Sequence, residues 1–183
     1  PTSYIISNSG TTTTRIADTS STTGLSSVIN STEGTLYFEG SALSDDGTSR
    51  RISLSDGTIS NRISLEFDEA ANTLKLFIDS SVLIASGINL TNSTKICAKY
   101  KANDYALWVN GFELATTATQ SNVPTGLNQL SFDGGNGSND FYGNVQNLMV
   151  FPSALTDDEL TDLTGSKITT FNSLALSRGY TIL

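Results

Sequence analysis

Residues 141–164 read FYGNVQNLMVFPSALTDDELTDLT, and the two halves of this segment differ in character. The first half is largely apolar and is typical of a buried β-strand, which Pro152 ends because proline has no backbone N–H for a strand ladder. The second half is acidic and has the spacing of a short helix. The rest of the chain is rich in strand-like segments, so a single helix directly after a late strand restricts the folds that this sequence can adopt.

The helical half carries signals for both of its ends. Ser153 and Thr156 are candidate N-caps, and Thr156 together with Glu159 has the spacing of a capping box. Gly165 supplies a stop signal. We therefore predict one short helix near residues 156–164. Its leucines are expected to cover an open edge of the core: Leu155, Leu160 and Leu163.

Short strand-like segments separated by turn residues fill the chain from residue 34 to this helix. In RISLEF, residues 62–67, apolar side chains alternate with polar ones such as Arg62 and Glu66, as expected for a strand with one buried face. Asn110–Gly111 is a strong tight-turn signal, because both residues tolerate positive φ. About eight to ten strands at a spacing of roughly 8–12 residues are typical of an antiparallel sandwich or barrel. The predicted fold class is all-β, an antiparallel two-sheet sandwich.

One domain with two extensions is predicted for this chain of 183 residues. The regular strand pattern occupies residues 34–165. Residues 1–33 are polar and are interpreted as a lead-in with one short strand near residues 3–7. Residues 166–183 are interpreted as a C-terminal tail with a helical turn and a final strand. Either extension is a candidate for self-association.

The composition excludes several functional classes. The sequence has 10 basic and 18 acidic residues, a formal net charge of −8, so a nucleic-acid backbone would be repelled. No apolar run approaches the roughly 20 residues that a membrane-spanning helix requires, so membrane insertion is not expected. Histidine is absent from the sequence, which excludes Ser-His-Asp and Cys-His catalysis. Cys97 is the only cysteine and is interpreted as a core residue.

Three segments resemble, in the same order, elements of concanavalin A-like jelly-roll domains of the laminin-G and pentraxin type. STEGTLYFEG, residues 31–40, is similar to their opening strand, and DYALWVNGFELAT, residues 104–116, is similar to their recurrent hairpin. Residues 141–164 are similar to their closing segment, in which the last long strand runs into a short helix whose leucines lie against the sandwich. The resemblance implies the same jelly-roll architecture for this chain.

The two ends of the chain resemble bacteriophage proteins. PTSYIISNSGTTTTRIADTS, residues 1–20, is similar to the junction upstream of such domains in many phage tail, head-fibre and adhesin proteins, and TFNSLALSRGYTIL, residues 170–183, is similar to their tails. The resemblance implies a non-enzymatic fibre module on a virion that attaches to a host surface glycan or receptor. It also implies other virion proteins as partners and a homotrimer. Two alternatives stay open: a carbohydrate-binding module of a bacterial glycanase, and a purely architectural virion protein.

Aromatic rings that stack on sugars and polar groups that bond hydroxyls are the candidates for ligand binding. The set is Trp108, Tyr105, Tyr142 and Arg62. Alternation along one strand puts Trp108 and Tyr105 on opposite faces of the sheet. If the Tyr105 side is core, Trp108 is either an exposed platform or a packing residue, and packing is favoured because an isolated Trp is usually buried.

The loop DGGNGSND, residues 133–140, is the candidate calcium site. Asp133, Asn136, Asn139 and Asp140 offer several oxygen ligands at once, which Ca²⁺ requires. Laminin-G and pentraxin relatives often hold Ca²⁺ at one rim of the sandwich. The alternative is that these residues only form turns, for which Asp, Asn and Gly are usual. No other cofactor is predicted.

A catalytic function is considered for one acidic segment, residues 66–69. Glu66 and Asp68 would share a strand face and resemble the paired carboxyls of family-16-type glucanases, which hydrolyse with retention. The third acid of that pattern would fall at position 70, where the sequence has Ala70. DEAAN, residues 68–72, is interpreted as a hairpin loop instead, and no catalytic residue is predicted.

Overall fold

The computed structural model describes residues 20–165, which form an antiparallel β-sandwich and one helix. The predicted short strand near residues 3–7 and the predicted tail, residues 166–183, lie outside the described residues. The elements are β1 (Ser21–Thr22), β2 (Glu33–Ala42), β3 (Arg50–Ser55), β4 (Arg62–Phe67), β5 (Thr73–Ile78), β6 (Ser81–Ser86), β7 (Thr94–Lys101), β8 (Tyr105–Val109), β9 (Phe112–Thr117), β10 (Gln129–Ser131), β11 (Gly143–Phe151) and α1 (Asp157–Thr164).

The strands form two sheets in which every pairing is antiparallel. Sheet I has six strands in the order β1-β10-β3-β4-β5-β6, and sheet II has five in the order β11-β2-β7-β8-β9. The two-sheet antiparallel fold predicted from the strand spacing is confirmed. The late strands β10 and β11 return to pair with the early strands β3 and β2, so each sheet joins distant parts of the chain.

The main core lies between the sheets and consists of the inward halves of the alternating strands. On β4, Ile63, Leu65 and Phe67 are at most 2% exposed, as their spacing predicts. The ring centroids of Phe67 and Phe38 are 5.5 Å apart at an interplanar angle of 75°, the edge-to-face geometry that aromatic pairs prefer. Because Phe67 lies in sheet I and Phe38 in sheet II, this pair joins the two layers.

Helix α1 lies on the outer face of sheet II. Its Leu160 is fully buried in a second, smaller apolar cluster with Tyr37, Cys97 and Trp108, whose side chains point away from the main core. The sequence analysis predicts that the leucines of this segment cover an open edge of the core, and this prediction is wrong. They cover a sheet face instead, and they extend the buried apolar volume beyond the space between the sheets.

The turn after β11 explains the position of the helix. β11 is an edge strand of sheet II and is mostly exposed, so the prediction of a buried strand here is wrong. Its last residue, Phe151, lies opposite Thr35 of β2. The Thr35 hydroxyl donates to the carbonyl oxygen of Ser153 at 3.2 Å and accepts from the backbone N–H of Leu155 at 3.1 Å. These bonds hold the chain against the outward side of β2, so the helix that follows begins above the sheet face.

The capping box predicted for the helix is confirmed. The backbone N–H of Thr156 donates to Oε2 of Glu159 at 2.8 Å, and the N–H of Glu159 donates to Oγ1 of Thr156 at 3.4 Å. The bonds from the backbone and hydroxyl of Thr156 lower the pKa of Glu159 below its ordinary value. Within residues 20–165, no helix has the length and apolar composition needed to cross a bilayer.

Candidate ligand-binding face

The outer face of sheet I is the candidate site. Alternation along β3, β4 and β5 turns Arg51, Glu66 and Phe77 away from the main core. The strand register sets Arg51 opposite Glu66, and it sets Phe77 opposite Val82 on β6. We call this surface the platform, and its residues are Arg51, Arg62, Glu66, Phe77, Val82 and Ile84.

Phe77 is the centre of the platform. The guanidinium carbon of Arg51 lies 5.0 Å from the ring centroid of Phe77, and that of Arg62 lies 5.6 Å from it, both within the range of cation–π attraction. The ring itself is half-buried, whereas Val82 and Ile84 on the neighbouring strand are 40% and 55% exposed. The platform therefore presents an apolar strip with two guanidinium groups beside it.

The two arginines of the platform differ in their partners. Nη2 of Arg51 donates to both carboxylate oxygens of Glu66 at 3.1 Å, and the Ser49 hydroxyl also donates to Glu66. Nη1 of Arg62 donates to the carbonyl oxygen of Gly134 at 2.7 Å, and no carboxylate within residues 20–165 forms an ion pair with Arg62. Burial lowers the pKa of Arg62, the charge of Arg51 lowers it further, and Glu66 opposes both effects. Among the residues that the structure describes, Arg62 is therefore a buried cation without an ion-pair partner.

The floor of the platform contains polar atoms without hydrogen-bond partners. Among residues 20–165, this is true of Nε of Arg51, Nε of Arg62 and the hydroxyl oxygen of Ser64, all of which are buried. A buried polar group that stays unpaired costs roughly 1–3 kcal/mol, so proteins usually pair such groups with other protein groups, water or a ligand. The unpaired atoms of this floor therefore add no stability to this part of sheet I.

The segment of residues 133–139 borders the platform and positions Arg62. Its Gly134 carbonyl accepts the hydrogen bond from the Arg62 guanidinium. Gly135 has a φ of +96°, and a Cβ atom there would lie 3.0 Å from the side chain of Ser55 on β3. Glycine thus allows the backbone to lie close against the sheet in a conformation that other residues rarely adopt.

The predicted calcium ligands lie in and directly after this segment, and several of their oxygens have local partners. Asp133 is buried, whereas Asn136 and Asn139 are exposed. Oδ1 of Asp133 and Oδ1 of Asn136 each accept a hydrogen bond from the residue two positions later, which is ordinary turn geometry. Asp140 accepts from the Tyr142 hydroxyl at 3.3 Å. Within the described chain, no group of three or more Cys, Asp or Glu side chains could hold a metal ion, and calcium binding stays a prediction.

The four predicted ligand-binding residues lie in different environments. Arg62 lies on the platform. Tyr105 is fully buried in the main core, and Trp108 is only 7% exposed beneath α1, so neither ring presents a free face. Tyr142 is 55% exposed and lies just before β11. The structure therefore brings one member of the predicted set to the candidate site.

The sequence prediction misses Phe77, although a signal for it exists. In TLKLFI, residues 73–78, Phe77 shares one strand face with Lys75, opposite the apolar face that contains Leu74 and Leu76. An aromatic residue on the polar face of a strand is a candidate for an exposed ring. The contribution of the two arginines from other strands depends on the sheet register, which this local pattern does not contain.

The two carboxylates considered for catalysis are held in ion pairs. Glu66 is paired with Arg51, and Nζ of Lys75 lies 2.8 Å from Oδ2 of Asp68. The side chains of Glu66 and Asp68 are only 4% and 3% exposed. Retaining hydrolysis needs two carboxyls about 5 Å apart that both face an open cleft. Two buried carboxylates, each beside a cation, fit a binding surface better than a hydrolytic site.

Comparison with known proteins identifies similar folds but no sequence family. No protein-family model matches the chain, and no curated protein matches it. The CBM40 module of the Ruminococcus gnavus IT-sialidase, bound to α2,3-sialyllactose, has a TM-score of 0.61 at 18% identity, over 74% of this chain and 84% of that chain. The leech intramolecular trans-sialidase complexed with 2,7-anhydro-Neu5Ac has a TM-score of 0.59 at 20% identity, over 78% of this chain and 24% of that chain.

A third similar structure comes from a different group of enzymes. Domain 4 of AbnA, a GH43 extracellular arabinanase from Geobacillus stearothermophilus, in complex with arabinotriose, has a TM-score of 0.55 at 18% identity. That match covers 74% of this chain and 68% of that chain. At identities of 18–20%, these likenesses show the fold alone. They confirm the jelly-roll sandwich that the three sequence segments imply.

Proposed function

We propose that this domain is a non-catalytic glycan-binding module and that the platform is its binding surface. The observation that carries the proposal is the placement of two guanidinium groups on one half-buried ring, that of Phe77, beside the exposed Val82 and Ile84. A sugar ring has an apolar C–H face and a rim of hydroxyls. The platform offers an apolar strip for the face and hydrogen-bond donors for the rim.

We expect Arg62, which is only 7% exposed in the free protein, to reach the sugar after a shift of its side chain and then to make the strongest polar contact. Its guanidinium is a planar fork of donors that fits a carboxylate or a pair of neighbouring hydroxyls. Because no carboxylate of the described chain neutralises it directly, a negative group on the ligand would supply the missing counter-charge. The whole chain has a formal charge of −8, which repels anions elsewhere. A sugar with a carboxylate is therefore expected to bind more tightly than its neutral counterpart.

The fold likenesses support the proposal. The Ruminococcus gnavus module is bound to sialyllactose, and the arabinanase domain is in complex with arabinotriose. These are ligands of those proteins, and for this chain they serve as the first probes. The likenesses favour a carbohydrate-binding module over a fibre protein.

Attachment of a virion to its host would use the same surface chemistry. The segments that resemble phage proteins, residues 1–20 and 170–183, lie almost entirely outside the described residues. The virion location, the virion partners and the homotrimer therefore stay predictions from the sequence. Glycan binding by the platform does not depend on them, and several weak sites on one particle would add avidity.

The test is isothermal titration calorimetry with α2,3-sialyllactose, lactose and arabinotriose. We expect a dissociation constant of about 0.1–1 mM for sialyllactose, weaker binding of lactose, and a loss of at least about tenfold in affinity in Phe77→Ala. Leu43→Ala is the matched control, because Leu43 is 76% exposed and lies outside the platform. Wild-type affinity in Phe77→Ala would exclude the platform as the site, and no binding of any of the three sugars would contradict the proposed function.

A further inference from the structure

A cleft lies at the β8–β9 turn, at an edge of sheet II. Its volume is about 440 Å³, and every residue that lines it is uncharged. The lining combines Phe112 and Leu114 of β9 with three amide side chains, Asn89, Asn92 and Asn110. This composition differs from the platform, where cations and a carboxylate surround the ring.

Phe112 is the most unusual side chain of this cleft. It is 70% exposed, although it follows the tight turn Asn110–Gly111 directly and belongs to a strand of the sandwich. Leu114, two positions later, is 43% exposed. Exposed apolar side chains that cluster beside polar groups often mark a binding site. The ring of Phe112 thus offers a stacking surface that the core does not use.

Two of the amides have a defined orientation. Oδ1 of Asn89 accepts from the backbone N–H of Thr91 at 3.1 Å, and Oδ1 of Asn110 accepts from the backbone N–H of Lys95 at 3.0 Å. Because a backbone N–H can only donate, the atom that it contacts must be the amide oxygen. The protein therefore occupies the oxygen of each amide, and each NH₂ group is left as a donor.

We propose that this cleft is a second saccharide subsite, selective for a neutral sugar. The C–H face of the sugar stacks on Phe112, and its hydroxyls accept hydrogen bonds from the NH₂ groups of Asn89 and Asn110. The absence of charge in the lining removes any preference for a carboxylate. The subsite rests on its own contacts and not on the platform, so either site can exist without the other.

The test is an NMR titration of the ¹⁵N-labelled chain with lactose, cellotriose and arabinotriose, each to about 20 mM, well above the millimolar dissociation constants of weak sites. We expect at least one sugar to shift the backbone amides of residues 89–94 and 110–114. Phe112→Ala should weaken this binding at least about fivefold, whereas Leu43→Ala, another exposed apolar truncation, should leave it unchanged.

A second variant tests the amide donors while the local turn is kept. Asn89→Asp retains the acceptor oxygen for Thr91 but replaces the NH₂ group with a second oxygen, so we expect a similar loss of affinity in a folded protein. Shifts that survive in both variants would overturn the subsite, as would no shift in these residues with any of the three sugars. Shifts confined to the platform strands would overturn the subsite and leave the proposed function intact. Phe77→Ala should abolish only those platform shifts.

Discussion

The outer faces of the two sheets follow the same alternation but differ in exposure. On sheet II, Tyr37 and Trp108 point away from the main core, yet they are only 3% and 7% exposed because α1 covers them. On sheet I, Phe77 also points outward, and its ring is half-buried beside Val82, which is 40% exposed. An outward aromatic residue is thus a packing residue on one face and a candidate binding residue on the other. Whether an outward aromatic residue is buried depends on the element that lies over it, and not on the residue type.

The covered face behaves as a small second core. Leu160 of α1 has no exposed surface, and it packs in one cluster with Cys97, Ala106 and Trp108. Each fully buried aliphatic side chain contributes roughly 1.5–3 kcal/mol relative to an exposed one. The platform face has instead buried ion pairs and polar atoms without partners, which add little net stability. We therefore expect truncations on the two outer faces to differ in their effects on folding and on binding.

The largest expected effect comes from the covered face. Trp108→Ala should lower the free energy of unfolding by about 3–5 kcal/mol, because it removes a large buried ring and leaves a cavity beneath α1. Urea denaturation measures this change, with Phe112→Ala as the control at about 0.5 kcal/mol or less, since Phe112 is 70% exposed. If the Trp108→Ala protein is as stable as the control, Trp108 is not a packing residue. The alternative that Trp108 stacks on a sugar would then regain support.

A smaller loss of unfolding free energy is expected when the ion pair of the platform is broken. Glu66→Ala removes the carboxylate that holds Arg51, whose side chain is 16% exposed, and should cost about 2–3 kcal/mol of unfolding free energy. Part of this cost is the charge left on Arg51, so the double variant Glu66→Ala, Arg51→Met should recover some stability. A double-mutant cycle in urea measures the coupling. If the two single losses simply add, the ion pair contributes nothing to the stability of the platform.

The smallest effect concerns the alkaline stability of the covered face. Burial raises the pKa of the Cys97 thiol from 9.0 to about 12. The unfolded chain therefore releases this proton at a lower pH than the folded chain, so the contribution to stability is complete below about pH 9 and is lost as the pH rises toward 12. At pH 10 the loss should be about 1 kcal/mol relative to pH 8.

Cys97→Ala isolates this contribution. Unfolding free energies of the wild type and the variant are measured at pH 8 and pH 10, and the variant should lose less stability over that interval. Tyr100, whose pKa burial also raises, is present in both proteins and cancels in the comparison. The charge of Cys97 also raises the pKa of Tyr37, so the difference between the two proteins reports Cys97 together with its effect on Tyr37. If both proteins lose the same unfolding free energy between pH 8 and pH 10, the Cys97 thiol is not kept from solvent beneath α1.

Much of the architecture is contained in local sequence patterns. The alternation in residues 62–67 predicts which side chains of β4 enter the core, and Ile63, Leu65 and Phe67 are found there. The spacing of Thr156 and Glu159 predicts the start of the helix, because a capping box involves only one turn of backbone. Both predictions succeed since the interactions that decide them lie within a few residues of each other.

The candidate site is predicted only in part for the opposite reason. Alternation puts Trp108 and Phe77 outward, but it does not say what lies above them. Arg62 is among the predicted ligand residues, whereas its contact with Phe77 requires the pairing of β4 with β5, and its bond to Gly134 requires a segment 72 residues away. The platform is therefore a product of sheet register and loop position.

The local sequence pattern determines the strands, the turn at Asn110–Gly111 and the helix. It also determines whether each side chain points inward or outward, because these features depend on interactions between residues that are close in sequence. Tertiary structure alone decides which outward face is closed. The carbonyl of Ser153 meets the Thr35 hydroxyl across 118 positions of sequence, and that contact turns α1 over sheet II while leaving sheet I open. Burial depends on such long-range contacts, since a side chain leaves water only when a distant element covers it.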